Sequence, residues 1–348
     1  MLRKTRLSQI LTGGALAASM AGLAPAVEAG SISLDGQDIT LSGGATGGYF
    51  YATDTGSKKQ DTVVVSDFIT ELSSEAKPGG VGFTAGLGVE TQPTVYGGQI
   101  ASGTASYAFQ YGWLSIVPVK NLEIDAGQLA TNVGYEVAPT YANPNINLGL
   151  VWYGQPIYYP GVRASYSMGD MSVYAEMNKN TSYGAKSGAA FGASGNIGGV
   201  DALFSYFTNA GKVSIADFIL SKTVGGVDLA VNADYQMKAK AAKTPGTDDA
   251  AYGIAFYATV PVMDKVTLPV RVEYVNDGTS GLYGLTTGTS SNTAISFTVT
   301  PTYHFTDKTF VRAELAYVTT DKKGVFFDDK GVATDSNTSF AVQTGYLF

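Results

Sequence analysis

The chain has 348 residues, of which 43 are glycine, 22 are tyrosine, 15% are charged and 45% are hydrophobic. No apolar run reaches about 18 residues, so the composition excludes both a helical membrane protein and a disordered chain. With no cysteine and with His304 as the single histidine, the chain has no disulfide and no thiolate or paired-histidine metal site, and its formal net charge of −7 gives no reason to expect nucleic acid as a partner.

Residues 1–29 have the features of a secretory signal peptide. Three basic residues precede an apolar, small-residue run from Ile10 to Leu23, and small residues follow at cleavage-type spacing up to Ala29. The run is too short and too rich in glycine and alanine to span about 30 Å of hydrocarbon, which disfavours a membrane anchor. Cleavage after Ala29 would leave residues 30–348 as one mature domain.

From there to the end of the chain, apolar and polar residues alternate with a period of two, which predicts β-strands of roughly 8 to 12 residues. Arg312 and Glu314, for example, alternate with apolar neighbours, and so do Arg271 and Glu273. We predict an all-β fold of about sixteen strands, with fourteen as the alternative. The predicted strands are 39–51, 62–72, 80–90, 104–117, 121–131, 161–167, 171–178, 188–195, 200–208, 213–224, 227–238, 250–260, 266–276, 292–305, 308–319 and 337–348.

The connections between these strands alternate in length. Short turns are expected at 118–120, 168–170, 225–226 and 306–307, and long polar or glycine-rich connections at 132–160, 239–249, 277–291 and 320–336. Short turns at one end and long loops at the other predict a transmembrane antiparallel β-barrel with periplasmic turns and extracellular loops. A soluble β-sandwich would not need to keep its long loops on one side.

Aromatic residues near strand ends support the same prediction. Girdles of aromatic residues mark the two membrane interfaces of such barrels, and five tyrosines are candidates for them. The final strand also alternates and stops on the aromatic Phe348, which resembles the signal that bacterial barrels present to their assembly machinery. The girdle candidates are Tyr235, Tyr257, Tyr274, Tyr303 and Tyr317.

Residues 127–166 read GQLATNVGYEVAPTYANPNINLGLVWYGQPIYYPGVRASY. The order of GQL, GYE, an Asn/Pro-rich loop with NPN, a QP step and PGVRASY resembles the putative β-barrel porin type 2 family, also called OmpL-like. The resemblance is densest over these residues. It implies a barrel in the outer membrane of a Gram-negative bacterium, with pore activity.

Charged residues on the polar faces of the strands are the candidate pore-lining groups. The lysines are mostly in connections, whereas the three arginines of the mature chain are on strands, where a planar guanidinium can pair with a carboxylate. Such pairs either set a field across a water-filled pore or merely satisfy each other within the wall. The pore-lining candidates are Arg163, Glu176, Asp228, Asp234, Arg271, Glu273, Arg312 and Glu314.

The balance of these charges predicts a weak preference for cations. Nine acidic residues face the predicted lumen against three arginines, and rings of carboxylates favour cations. The acids are those among the pore-lining candidates together with Asp67, Glu71, Glu123 and Asp125.

The connection 132–160 is the longest and contains six tryptophan and tyrosine residues, which a solvated loop rarely needs. We expect it to fold into the lumen as a constriction, with Glu136, Trp152 and Tyr153 as candidate pore-narrowing groups. The alternative is a loop packed on the outer rim or against a neighbouring protomer.

The predicted function is therefore an outer-membrane porin through which small hydrophilic solutes and ions diffuse passively. A barrel of about sixteen strands should enclose an aqueous channel, whereas eight strands would be filled by side chains. The alternative is a structural, adhesion or receptor barrel with a closed lumen. We predict no enzyme and no cofactor, because hydrolase, zinc-protease and P-loop motifs are missing. Expected partners are outer-membrane lipid, the barrel assembly machinery through Phe348 and two further copies in a homotrimer.

Overall fold

The computed structural model describes residues 28–34, 37–56, 61–96, 107–179, 186–285 and 290–348. The predicted signal peptide lies outside the described residues except for Glu28 and Ala29, which begin the first strand. No helix in the described ranges is both long and apolar enough to cross a membrane.

The regular secondary structure of the described residues is nearly all β-strand. One four-residue helix, α1 (Leu150–Tyr153), and two single 3-10 turns at Thr140–Ala142 and Lys240–Ala242 are in connections. The strands are β1 (Glu28–Leu34), β2 (Gln37–Ala52), β3 (Asp61–Ser74), β4 (Val81–Glu90), β5 (Ala108–Val119), β6 (Leu122–Ala130), β7 (Tyr158–Met168), β8 (Met171–Asn178), β9 (Gly188–Ile197), β10 (Val200–Asn209), β11 (Val213–Val224), β12 (Val227–Lys238), β13 (Ala250–Met263), β14 (Val266–Gly278), β15 (Asn292–Val299), β16 (Thr302–His304), β17 (Thr309–Thr320), β18 (Phe326–Phe327), β19 (Ala333–Thr334) and β20 (Ser336–Leu347).

The sheet closes into a barrel because β2 pairs with β3 on one side and with β20 on the other. β15 and β16 form one strand interrupted at Thr300 and Pro301, since both pair with β14 and β17 and proline cannot donate to the ladder. β1 pairs only with the first residues of β2 and lengthens that hairpin. The barrel therefore has sixteen antiparallel strands, as predicted, rather than fourteen.

The two ends of the barrel differ as expected. Turns of two to four residues join β5 to β6, β7 to β8, β11 to β12 and β16 to β17 at one end. At Gly225 and Gly226 both φ angles are positive, +59° and +88°, which a tight hairpin turn requires and glycine adopts without strain. The opposite end carries the long connections, although β10 and β11 are joined there by only three residues.

Side chains alternate between a polar interior and an apolar outer surface. On neighbouring positions of single strands, Phe218 is 53% exposed while Asp217 is fully buried, and Leu315 is 50% exposed while Glu314 is 1% exposed. This outer surface is suited to contact hydrocarbon. Tyr235, Tyr303 and Tyr317 and the half-buried Tyr274 also lie on the outer surface.

The girdle prediction for Tyr257 is wrong. Tyr257 lies inside the barrel, 6% exposed, with its ring centroid 4.4 Å from that of Tyr135. Strand β13 is apolar on both faces, so alternation alone does not identify its inner side. Pairing of Tyr257 with the inward-facing Arg271 does, because directly opposed residues point to the same side of a sheet.

Candidate functional site in the barrel interior

Residues 131–157, which connect β6 to β7, run inside the barrel; we call them the lumen loop. Its apolar side chains pack against the wall in one buried cluster that joins Leu150 and Val151 of the loop with Ala255 and Val275 of β13 and β14. Both loop residues are 0% exposed. Polar groups of the wall fix the rest of the loop at four places.

The first anchor is Arg271 on β14. Its guanidinium forms an ion pair with Glu136 of the lumen loop, donates to the Asn147 carbonyl at 2.7 Å and lies 3.1 Å from Glu273. Glu136 in turn accepts the Gly149 N–H at 2.8 Å. One buried arginine thus shares its charge between a wall carboxylate and a loop carboxylate.

The second anchor consists of Arg312 and Glu314 on β17. Arg312 donates to the carbonyls of Asn143 at 2.8 Å and Thr140 at 2.9 Å, and Glu314 accepts the Asn147 N–H at 2.9 Å. The Arg312 cation thus bonds loop carbonyls, and the Glu314 anion bonds loop N–H groups. Without them these backbone groups would be buried with no hydrogen-bond partner.

The third anchor lies on β11 and β12, which β13 separates from β14. Asp217 accepts the Gly134 N–H at 3.1 Å, and Gln155 of the loop donates to Asp234 at 2.9 Å. The fourth anchor is Asp67 on β3, which accepts the Thr140 N–H at 3.2 Å. The loop therefore contacts the wall at β3, β11, β12, β14 and β17, a geometry that a loop on the outer rim would not produce.

Most of the predicted pore-lining charges face inward, yet the lumen loop covers several of them. Arg271, Glu273, Arg312 and Glu314 are between 0% and 4% exposed and contact the loop instead of open lumen. Their pore-lining role thus stays a prediction.

The other pore-lining candidates lie elsewhere on the wall. Arg163 and Glu176 form a separate ion pair between β7 and β8 at 2.6 Å, away from the other two arginines. Asp228 lies near the short-turn end, where it accepts the Thr223 hydroxyl at 2.6 Å.

The candidate constriction residues have different surroundings. Glu136 and Trp152 are buried, 4% and 8% exposed, whereas Tyr153 is 41% exposed. The Tyr153 ring lies 4.7 Å from that of Tyr96 in the β4–β5 connection. Of the three, Tyr153 is the side chain that reaches the edge of the loop.

Other long connections pack over the lumen loop. Val95 of the β4–β5 connection donates its N–H to the Leu148 carbonyl at 3.0 Å. The Tyr96 hydroxyl donates to the Tyr283 carbonyl at 2.8 Å, and its ring lies 6.2 Å from that of Phe326. These contacts fill the side of the lumen next to β12–β17.

The wall formed by β3 to β6 is less covered. Glu71, Tyr111, Trp113 and Glu123 face the lumen there and remain partly exposed. Glu90, at the end of β4, is also partly exposed and lies opposite the inward-facing Asp67.

Sequence reasoning missed Glu90 and Asp217 as inward-facing acids. Glu90 ends β4, whose many glycines give little alternation between apolar and polar residues. Its spacing of two and four residues from Gly88 and Gly86 nevertheless places it on the same face of the strand as those glycines. Asp217 lies between inward-facing Ile215 and Ile219, so both faces of β11 look apolar.

Acidic residues in the outer connections form hydrogen bonds and ion pairs with other residues of these connections. The N–H and hydroxyl of Thr279 donate to Asp248 at 2.8 and 2.9 Å and hold the pKa of that carboxyl below its usual range. Asp249 pairs with Lys243, and Asp328 accepts two N–H groups of its own turn. Because the pKa of Asp248 is lowered, its link to Thr279 is present at neutral pH and is lost only on acidification.

The chain is similar to known proteins in its sequence family and in its fold. The family model described as putative beta-barrel porin-2, OmpL-like, matches residues 38–348, which is nearly the whole barrel. No curated protein sequence matches the chain.

Solved structures of outer-membrane proteins share the fold. OmpT of Vibrio cholerae has 12% identity and a TM-score of 0.63, covering 92% of this chain and all of its own. DcaP, an outer membrane channel of Acinetobacter baumannii, has 13% identity and a TM-score of 0.60 over 91% of this chain and 99% of its own. An anion-selective porin from Comamonas acidovorans has 13% identity and a TM-score of 0.61 over 90% and 100%. Identities this low show a common fold and do not transfer selectivity.

Proposed function

Because the chain belongs to the OmpL-like β-barrel porin-2 family of the outer membrane, we propose that small hydrophilic solutes and ions diffuse passively through the lumen that its loop leaves open. A sixteen-strand barrel is wide enough to hold both a folded-in loop and water. The path follows the partly exposed wall of β3 to β6. This function needs no catalytic group and no cofactor.

We further propose that the channel prefers cations weakly. This proposal rests on the interactions of the three lumen arginines. Arg163 is ion-paired with Glu176, and Arg271 is ion-paired with Glu136 and Glu273. Arg312 donates hydrogen bonds to loop carbonyls. Carboxylates of the open wall, such as Glu71 and Glu123, have no ion-pair partner among the described residues. A lumen with uncompensated carboxylates attracts cations.

The reversal potential in a KCl gradient tests the selectivity. We expect a permeability ratio of potassium to chloride above one in planar bilayers, because the unpaired wall carboxylates concentrate potassium. The double variant Glu71→Gln/Glu90→Gln should move the ratio toward one, whereas Asp264→Asn, in the exposed turn after β13, should not. Chloride preference in the unaltered protein would contradict the proposal.

A closed barrel with a structural, adhesion or receptor role is the second candidate. Packing of Val95, Tyr96 and Tyr283 over the lumen loop favours it, because these contacts fill part of the mouth. Persistent silence in bilayers, from protein whose heat-modifiable migration shows a folded barrel, would support the closed barrel. Discrete single-channel steps would reject it.

The proposal also covers how the protein assembles in the membrane. One solved OmpT structure is described as a trimer form, and we propose that this chain also forms homotrimers. Phe348 exchanges backbone hydrogen bonds of 2.8 and 3.0 Å with Gly43 at the seam where the barrel closes. Its recognition by the assembly machinery, and cleavage of the signal peptide after Ala29, are parts of the same proposal.

A further inference from the structure

The open wall carries a patch of aromatic rings. Tyr111 and Trp113 are on β5, with ring centroids 6.0 Å apart, and Tyr158 at the start of β7 lies 5.2 Å from Tyr111. All three residues are partly exposed. Three neighbouring rings of this kind present π-faces to whatever passes along the wall.

Two carboxylates are fixed beside these rings. The Tyr111 hydroxyl donates to Glu71 at 2.7 Å, and the Tyr158 hydroxyl donates to Glu90 at 3.0 Å. Gln92 also donates to Glu90, at 3.2 Å. Each phenol therefore holds one acid at the edge of the patch, and each carboxylate keeps further lone pairs for a ligand.

The patch has no cation of its own. The ion pairs of the described residues involve other acids, and neither Glu71 nor Glu90 takes part in one. Two carboxylates therefore lack a counter-charge at this wall. What distinguishes Glu71 and Glu90 from other unpaired lumen acids is that each accepts a hydrogen bond from a phenol of the patch.

Glycines give the rings their place on the wall. A Cβ atom at Gly86 would lie 2.3 Å from Cζ of Tyr111, so only glycine lets that ring lie across β4. Likewise, a Cβ atom at Gly44 of β2 would lie 2.9 Å from the ring of Tyr141, which the lumen loop brings against the strand next to this wall. The rings thus lie close against the backbone of the neighbouring strands.

We infer that Tyr111, Trp113, Tyr158, Glu71 and Glu90 form a binding site for organic ammonium cations inside the lumen. Aromatic faces attract cations most strongly when the cation is poorly hydrated, and carboxylates supply the opposite charge. A strongly hydrated alkali ion would gain little from the rings, and a neutral sugar would leave the carboxylates without a counter-charge. The inference rests on the proposed function, since the solute must enter the lumen to reach this wall.

Tryptophan fluorescence gives a binding assay that needs no ion current. The chain has two tryptophans, so Trp152→Phe leaves Trp113 as the single reporter. We expect tetraethylammonium chloride, added to the folded protein in detergent at constant ionic strength, to change the Trp113 emission saturably. Potassium chloride and maltose should produce no saturable change.

Isosteric variants in the same background test the residues. Glu71→Gln/Glu90→Gln should raise the half-saturating tetraethylammonium concentration about tenfold or more, because it removes both charges and keeps the side-chain shapes. Tyr111→Leu should raise it as well, and Tyr111→Phe less. Asp228→Asn removes a lumen carboxylate on β12, seven strands away from β5, and should change it less than about twofold. Heat-modifiable migration confirms that each variant is folded.

The outcomes separate this inference from the porin proposal. No saturable change with tetraethylammonium, an unchanged half-saturation in Glu71→Gln/Glu90→Gln, or tighter saturation by maltose would each overturn the ammonium site. Tetraethylammonium binding by a protein that carries no current would retain the site and reject the channel. A conducting protein without such binding would retain the channel and reject the site.

Discussion

Replacement of Arg271 by methionine is expected to loosen the lumen loop and to destabilise the barrel. The substitution leaves Glu136 and Glu273, 4% and 1% exposed, buried without their shared counter-charge. Removing one partner of a buried ion pair typically costs about 3–5 kcal/mol. We expect heat-modifiable unfolding at a lower temperature, together with noisier and larger single-channel currents as the loop leaves the wall.

A matched variant separates stability from loop release. Arg163→Met also breaks a buried arginine–glutamate pair, but that pair joins β7 to β8 within the wall. It should lower the unfolding temperature without enlarging the current. Adding Glu136→Gln and Glu273→Gln to Arg271→Met should recover part of the stability, since no unpaired charge then remains. Wild-type currents and stability in Arg271→Met would show that the anchor does not hold the loop.

The sequence predicts the barrel well because its wall obeys a local rule. In β12, β14 and β17 the charged side chains share one face and most large apolar side chains lie on the other, so each strand and its inner face can be recognised without knowing its neighbours. Pro301 splits the strand predicted at 292–305, an interruption that the missing proline N–H explains.

The interior is harder to predict because its contacts join distant parts of the chain. The alternation with a period of two places Arg271 on the inner face. Nothing in the local sequence indicates that Arg271 will pair with Glu136, which lies 135 residues earlier. Tyr257 shows the same limit, because the loop that buries it belongs to another region of the chain. The aromatic content of 132–160 indicated an unusual loop, whereas its anchors depend on the closed barrel.

Deletion of residues 140–155 should have the largest effect on conduction. These residues include most of the loop that fills the lumen beside β12–β17, among them Ile146 and Leu148, which are 0% exposed. Eleven residues of the connection would remain between β6 and β7, enough to join two neighbouring antiparallel strands. We expect single-channel conductance to rise severalfold, because water would replace the loop.

The wall charges that the deletion uncovers decide how the wider channel selects ions. Arg271 and Arg312 would gain water, but so would Glu273, Glu314 and Asp67, so cation preference should persist while conductance rises. Deleting 241–246, in the connection between β12 and β13 at the long-loop end, is the control and should leave the current unchanged. Removing an obstacle in series with a pore must lower the resistance of the pore. If the 140–155 deletion variant folds and conducts like the intact protein, the lumen loop therefore does not limit the path of ions.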